Sequence, residues 1–113
     1  MQDTSALEYS LAATVCLEPK RILQLRQIVS VEDFSISACA TVFDAADSAV
    51  ARGKAFDVNI AADSLRGFVD NPRQFLADCI DLTPTLANAE EYARLLHKHA
   101  AEKRLRDGVL AAL

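Results

Sequence analysis

Apolar side chains recur along most of the chain at intervals of three or four residues, which is the spacing of one face of an α-helix. A first helix is predicted from about Ala6 to Cys16, because a capping box formed by Ser5 and Glu8 precedes apolar positions four residues apart. No segment alternates apolar and polar residues over more than a few positions. The pattern therefore predicts an all-α fold in which five or six short helices form a compact bundle.

Prolines, glycines and capping side chains divide the middle of the chain into short helices. Pro19 fits the first turn of a second helix, and Gly53 is predicted to end a third helix by adopting a left-handed conformation. Asn71 is a predicted cap that precedes a proline, and Gln74 is expected to complete its capping box. Further caps are predicted at Ser30, Ser37 and Asp57.

The longest predicted helix runs from a cap at Asn88 to about Ala112, and only one late glycine interrupts it. Pro84 separates this helix from the preceding one, because the residue before a proline is pushed out of helical geometry. We expect residues 5–86 to form the body of a single domain and residues 88–112 to project from it as a long helix.

The apolar face of the long helix changes side partway along its length. Leu96 and Leu105 are nine residues apart, which at about 100° per residue is about half a turn around the helix axis. The first face should pack on the body, and the second should contact another partner. The core anchors predicted on the first face are Tyr92, Leu96 and Ala100. The subunit or partner interface predicted in the second half consists of Ala101, Leu105, Val109 and Ala112.

Composition limits the class of protein. A chain of 113 residues with 51% hydrophobic and 25% charged residues fits one globular domain. The net charge is −4 and the 12 Lys and Arg residues are dispersed, which argues against direct nucleic-acid binding. No apolar run approaches the roughly 20 residues of a membrane span, and the N-terminus lacks a signal-peptide pattern. Cys16, Cys39 and Cys79 lie in apolar segments, as expected for buried thiols in a reducing cytoplasm.

The sequence offers no constellation of residues for catalysis. It contains neither a Gly-rich phosphate-binding loop nor a Gly-x-Ser-x-Gly turn. His97 and His99 point to different faces of a helix and cannot share one metal, so we expect His97 at the surface and His99 packed or at an interface. The acidic pair Glu32 and Asp33 is expected at a helix start, where the macrodipole favours negative charge. We expect no catalytic, cofactor-binding or metal-binding residue in this segment.

A series of short motifs nevertheless points to a family. They are, in order, Leu7-Glu8, Glu18-Pro19, Asp33-Phe34, Val42-Phe43, Gly53 to Asp57, and Thr83-Pro84 followed by Ala87-Asn88 and Tyr92-Ala93. This order resembles the N-terminal domain of DnaB-type replicative DNA helicases over about residues 5–107, and its last run is the most specific part. One loop departs from the family pattern of Gly-Gly followed by Tyr-Leu. This chain has Gly67-Phe68 and later Phe75-Leu76 instead, which puts any partner contact through that loop in doubt.

The resemblance implies an all-helical head followed by a helical hairpin, of which residues 88–112 would be the first arm. In the family, such hairpins pair between neighbouring subunits, and the domains form a collar on the hexamer that receives primase and, in some bacteria, a helicase loader. The implied function is a scaffold and protein-docking domain in DNA replication, and the implied partners are helicase subunits, primase and a loader. ATP and Mg would belong only to a motor domain, so this sequence is expected to be part of a longer helicase.

A second interpretation is a free-standing small helical adaptor, such as a phage or plasmid protein that mimics this domain to capture primase or the helicase. A downstream reading frame with a phosphate-binding loop would favour the helicase domain, whereas a stop codon after Leu113 would favour the adaptor. An enzyme acting on its own is the least supported class, because no set of catalytic groups appears.

Overall fold

The computed structural model describes residues 3–112, with side chains described through Gly108. This range contains no strand, and the pairing of Arg66 with Val69 is an isolated bridge. Two short 3₁₀ turns, Pro19–Arg21 and Val31–Asp33, accompany six α-helices. The predicted all-α fold is therefore confirmed. The helices are α1 (Ser5–Leu17), α2 (Ile22–Leu25), α3 (Ser37–Ala51), α4 (Val58–Ser64), α5 (Pro72–Asp81) and α6 (Ala89–Ala112).

Helix α1 lies at the centre of the fold, and α3, α5 and α6 all pack against it. Every side chain from Ser10 to Cys16 is buried, which is typical of a helix inside a core rather than of an amphipathic surface helix. Ala12 and Ala13 are completely buried, and their small side chains let the neighbouring helices approach closely. The hydroxyl of Thr14 donates to the Ser10 carbonyl at 2.7 Å, so this polar side chain is satisfied within the core.

Several predicted helix boundaries are confirmed by hydrogen bonds. The Asp57 carboxylate accepts a hydrogen bond from the Ile60 amide at 2.9 Å and caps α4. The Asn71 side chain accepts one from the Gln74 amide at 3.2 Å and caps α5. Gly53 follows α3 with φ of 68°, the left-handed conformation that glycine adopts without steric cost.

Two predicted capping boxes are wrong. The Gln74 side chain does not return to the helix start but donates to Asp78 at 2.8 Å, farther along α5. Ser5 is the first residue of α1 and not its cap. The Glu8 carboxylate instead accepts hydrogen bonds from the amide and the hydroxyl of Ser35, in the segment that leads into α3.

Two further boundaries differ from the predicted pattern, in which apolar spacing continues the second helix to Val29 and Ser37 caps the third helix. Helix α2 ends at Leu25, because the amides of Gln27 and Ile28 bond to carbonyls three residues earlier and tighten the chain into turns. Ser37 begins α3 and does not cap it. The residue before it, Ile36, directs its amide to the Glu8 carboxylate at 2.8 Å, so a buried side chain of α1 fixes the entry to α3.

Helix α6 gives the molecule its elongated shape. It contains 24 residues and is about 36 Å long at ~1.5 Å per residue. The molecule measures 46 × 30 × 28 Å, and its radius of gyration of 14.1 Å exceeds the roughly 13 Å expected for a compact chain of this length. One long helix therefore extends beyond a body made of the shorter ones.

Candidate docking surface on the long helix

The first half of α6 packs apolar side chains on the body, and the described part of its second half packs none there. Ala89, Ala93 and Leu96 are completely buried, and α6 packs against α1. Tyr92 is half-buried against this core, and Ala100 is also half-buried. All eight side chains from Ala101 to Gly108 are exposed. The helix therefore leaves the apolar core of the body between Leu96 and Ala101.

Leu105 is the largest exposed apolar side chain in the described outer part of α6, and 71% of its surface is exposed. Ala101 lies one turn before it and Gly108 lies about one turn after it on the same side. Both are small and exposed, so a second helix could approach the leucine closely. The predicted interface residues Val109 and Ala112 lie within the helical backbone, but their side chains fall outside the described ones.

A buried carboxylate in the Val31–Asp33 turn holds the outer part of α6. The Asp33 side chain is 1% exposed. One of its oxygens lies 2.9 Å from His97 Nδ1, and the other accepts a hydrogen bond from the Arg104 guanidinium. The Ser30 amide also donates to this carboxylate at 3.0 Å. We call Asp33, His97 and Arg104 the Asp33 cluster.

The electrostatics of the Asp33 cluster favour an ionised carboxylate. Burial by itself raises the pKa of Asp33, but hydrogen bonds from His97, the Ser30 amide and Arg104 outweigh it, so the pKa lies below its usual range. The imidazole of His97 and the guanidinium of Arg104 remain about half exposed. The cluster therefore joins a buried anion on the body to two partly solvated groups on α6.

The Asp33 cluster was not predicted from the sequence. His97 was expected at the surface, and its side chain is 54% exposed, but its contact with Asp33 was missed. Asp33 was expected only to favour a helix start, and it does close a capping box with Ser30. One signal was available: His97 and Arg104 are seven residues apart, which places them on nearly the same side of a helix.

Comparison with known proteins identifies the family. The family model described as DnaB-like helicase N terminal domain matches residues 2–98. The chain belongs to this family. The N-terminal domain of DnaB helicase from Mycobacterium tuberculosis is 28% identical and has a TM-score of 0.85, and the alignment covers 97% of this chain and 82% of that one. A comparison with curated proteins gives no match.

A second solved structure shares the fold at lower identity. It is the N-terminal domain of DnaB helicase from Helicobacter pylori, which is described with its interactions with primase. The two chains are 14% identical with a TM-score of 0.80, and the alignment covers 96% of this chain and 88% of that one. The matched region of the family is the N-terminal domain, which does not carry the ATPase motor of DnaB.

The loop that departs from the family pattern is exposed in this DnaB N-terminal domain. Gly67 has φ of 89°, so this position turns the chain in a conformation that other residues rarely adopt. Phe68 follows it and is 58% exposed. Phe75 is half-buried, and its ring meets Tyr9 edge to face at 6.2 Å between centroids. The helix after the loop is therefore fixed to the core by Phe75, and the loop itself contacts the core through Val69 while Phe68 stays exposed.

The other candidate side chains named from the sequence, His99 and the three cysteines, are buried or partly buried. His99 is 17% exposed and its Nδ1 lies 3.7 Å from the Glu102 carboxylate. All three cysteines are buried and unpaired, and burial raises the pKa of Cys16 to about 12. Within the described residues, no three His, Cys, Asp or Glu side chains are grouped to hold a metal ion. No described helix is long and apolar enough to cross a membrane.

Proposed function

We propose that this DnaB N-terminal domain is the scaffold and protein-docking domain of a hexameric replicative helicase. It would support assembly of the collar through α6 and would receive primase and a helicase loader. Direct contact with nucleic acid is not part of the proposal, because the 12 Lys and Arg residues are dispersed and the net charge is −4. The proposed setting is the cytoplasm, where replication takes place.

The observation that carries this proposal is the exposure of Leu105 on a helix whose first half is anchored on the body. An exposed leucine alone is ordinary on a protein surface. Leu105, however, lies where α6 has left the apolar core, and small residues one turn away on each side leave room for a partner helix. Helices that pair in this way bury such leucines between them.

The Asp33 cluster supports the same proposal. His97 and Arg104 contact Asp33 on one side of α6, and Leu105 is rotated by about 100° from Arg104. The cluster can therefore fix the direction of the helix without covering the leucine. A partner helix then meets a preorganised surface, which lowers the entropic cost of association.

The docking part of the proposal extends the description of the Helicobacter pylori relative, which names interactions with primase. The docking role is tested by calorimetric titration of this domain with the primase of the same organism. We expect saturable binding to the wild-type domain and weaker binding of a Leu105→Glu variant, because the docking surface would form on paired arms. Absence of binding by the wild-type domain would contradict the docking role.

A further inference from the structure

A groove on the body, away from α6, has no role in the function proposed above. It lies between the Pro19–Arg21 turn and the loop that joins α3 to α4. Its volume is about 730 Å³, within the range of about 300–1,000 Å³ found for ligand clefts. Pro19, Val50 and Phe56 contribute apolar surface to its walls, so we call it the Pro19–Phe56 groove.

Hydrogen bonds hold both walls of the groove in place. On one wall, the Arg21 guanidinium donates to the Glu18 carboxylate at 3.1 Å and to the Leu86 carbonyl at 2.6 Å. On the other wall, Gly53 reverses the chain, and the Lys54 amide donates to the carbonyl of Ala49 at 2.8 Å. The groove is therefore preformed and needs little rearrangement to receive a ligand.

The rim of the groove is positively charged, although the whole chain is acidic. Arg21 forms an ion pair with Glu18, which is the only acidic residue among those lining the groove. Lys20 and Lys54 are both exposed, and neither takes part in an ion pair among the described residues. Two lysines without an ion-pair partner among the described residues therefore line an apolar cleft.

The apolar cleft and its basic rim together favour one class of ligand over others. A basic segment would be repelled by Lys20 and Lys54. Nucleic acid would find only two unpaired cations, and Phe56 is only 7% exposed, so it offers no open ring for a base to stack on. A peptide with an apolar side chain between carboxylates fits both the cleft and its rim.

We propose that the Pro19–Phe56 groove binds a short acidic segment of a partner protein, in which an apolar side chain enters the groove between carboxylates that pair with Lys20 and Lys54. The site is separate from the Leu105 surface, so the body and the long helix would hold different partners or different parts of one partner. Rim charges of this kind speed association and select against basic competitors.

The test uses a short fluorescein-labelled peptide in which Glu alternates with Leu around a central Phe, and a matched peptide with Gln in place of Glu. Binding to the whole domain is measured by fluorescence anisotropy. We expect the acidic peptide to bind about tenfold more tightly than the Gln peptide. The Lys20→Glu/Lys54→Glu double variant should weaken binding by at least about tenfold, since it reverses both rim charges.

Two further variants separate the groove from general charge effects. Lys98→Glu/Lys103→Glu makes the same change in net charge on α6 and should leave the affinity unchanged within about twofold. Ala55→Trp adds bulk at an exposed position lining the groove without changing charge, and it should abolish binding. Equal weakening by both lysine pairs, full binding by Ala55→Trp, or no binding to the wild-type domain would each overturn the proposal. Leu105→Glu should not affect this assay.

Discussion

Arg104 and Asp33 lie 71 positions apart in the chain, and the guanidinium of Arg104 donates a hydrogen bond to the buried Asp33 carboxylate. This contact and that of His97 join the part of α6 beyond Leu96 to the body. Both come from nearly the same side of the helix. They explain how α6 can leave the core after Leu96 and still keep a fixed direction.

We expect Asp33→Asn to destabilise the domain by about 1–3 kcal/mol, because hydrogen bonds to a charged group contribute about that much. The half-exposed partners His97 and Arg104 reduce the effect compared with a fully buried pair. Urea unfolding measures the change. Asp47→Asn is the matched control: it removes the exposed ion pair with Arg26 and should change stability by less than about 1 kcal/mol. Equal effects of the two variants would contradict this account.

The contribution of Asp33 should depend on pH. Its folded pKa is lowered, so the folded carboxyl holds a proton less tightly than the unfolded one. Its stabilising effect is therefore fully present above the unfolded pKa of about 3.9 and is lost as the pH falls through the lower folded value. The difference in unfolding free energy between wild type and Asp33→Asn should shrink as the pH falls below about 4. A difference that stays constant down to low pH would show that the charge is not responsible.

Glu8 should be more important to the fold than its position near the N-terminus suggests. Its completely buried carboxylate accepts hydrogen bonds from the amides of Ser35 and Ile36 and from two hydroxyls, those of Thr4 and Ser35. Glu8→Ala would leave these groups without their acceptor, and we expect a loss of about 3 kcal/mol in thermal or urea unfolding. Glu8→Gln keeps one carbonyl oxygen for the amides, and the hydroxyls can rotate to accept, so it should cost only about 1 kcal/mol. Equal losses would be inconsistent with this geometry.

The cysteines should be unreactive in the folded domain. Cys16, Cys39 and Cys79 are 4%, 0% and 1% exposed, and burial raises the pKa of the Cys16 thiol to about 12. The thiolate is the reactive form, so for Cys16 burial and the raised pKa act in the same direction. A hydrogen bond with Cys39 lowers the pKa of Cys79, so the protection of Cys79 depends on its burial alone. A thiol reagent at pH 8 should therefore label all three only after urea unfolding. Rapid labelling of the native protein would contradict the packing described for α1, α3 and α5.

The sequence predicted most helices because their signals are local. Asp57 and Asn71 cap their helices through hydrogen bonds to amides three residues away, and Gly53 acts within one turn. Helix α1 was predicted as an amphipathic helix, yet it is buried on nearly all sides. The polar residues of α1 suggest a face exposed to solvent, but they are buried. Thr14 can be buried because its hydroxyl donates to the Ser10 carbonyl on the preceding turn of the same helix.

The Asp33 cluster and the Glu8 contacts could not be predicted in the same way. Each joins residues that are far apart in the chain, 64 positions for Asp33 with His97 and 27 for Glu8 with Ser35. A carboxylate before or inside a helix also has a local explanation, either as a cap or in the helix dipole. Only the packing of α6 and α3 shows that both carboxylates are buried and face a distant partner.

The central proposal is that the Leu105 side of α6 is a surface for assembly, and sedimentation velocity over a range of protein concentrations tests it most directly. We predict that the wild-type domain associates, that Leu105→Glu sediments as a monomer with unchanged helical content, and that Leu82→Glu behaves like wild type. Leu82 is a suitable control because it is 64% exposed but caps the end of α5 and is not part of the long helix. A wild-type monomer at all concentrations, or an oligomer that Leu105→Glu leaves intact, would contradict the account.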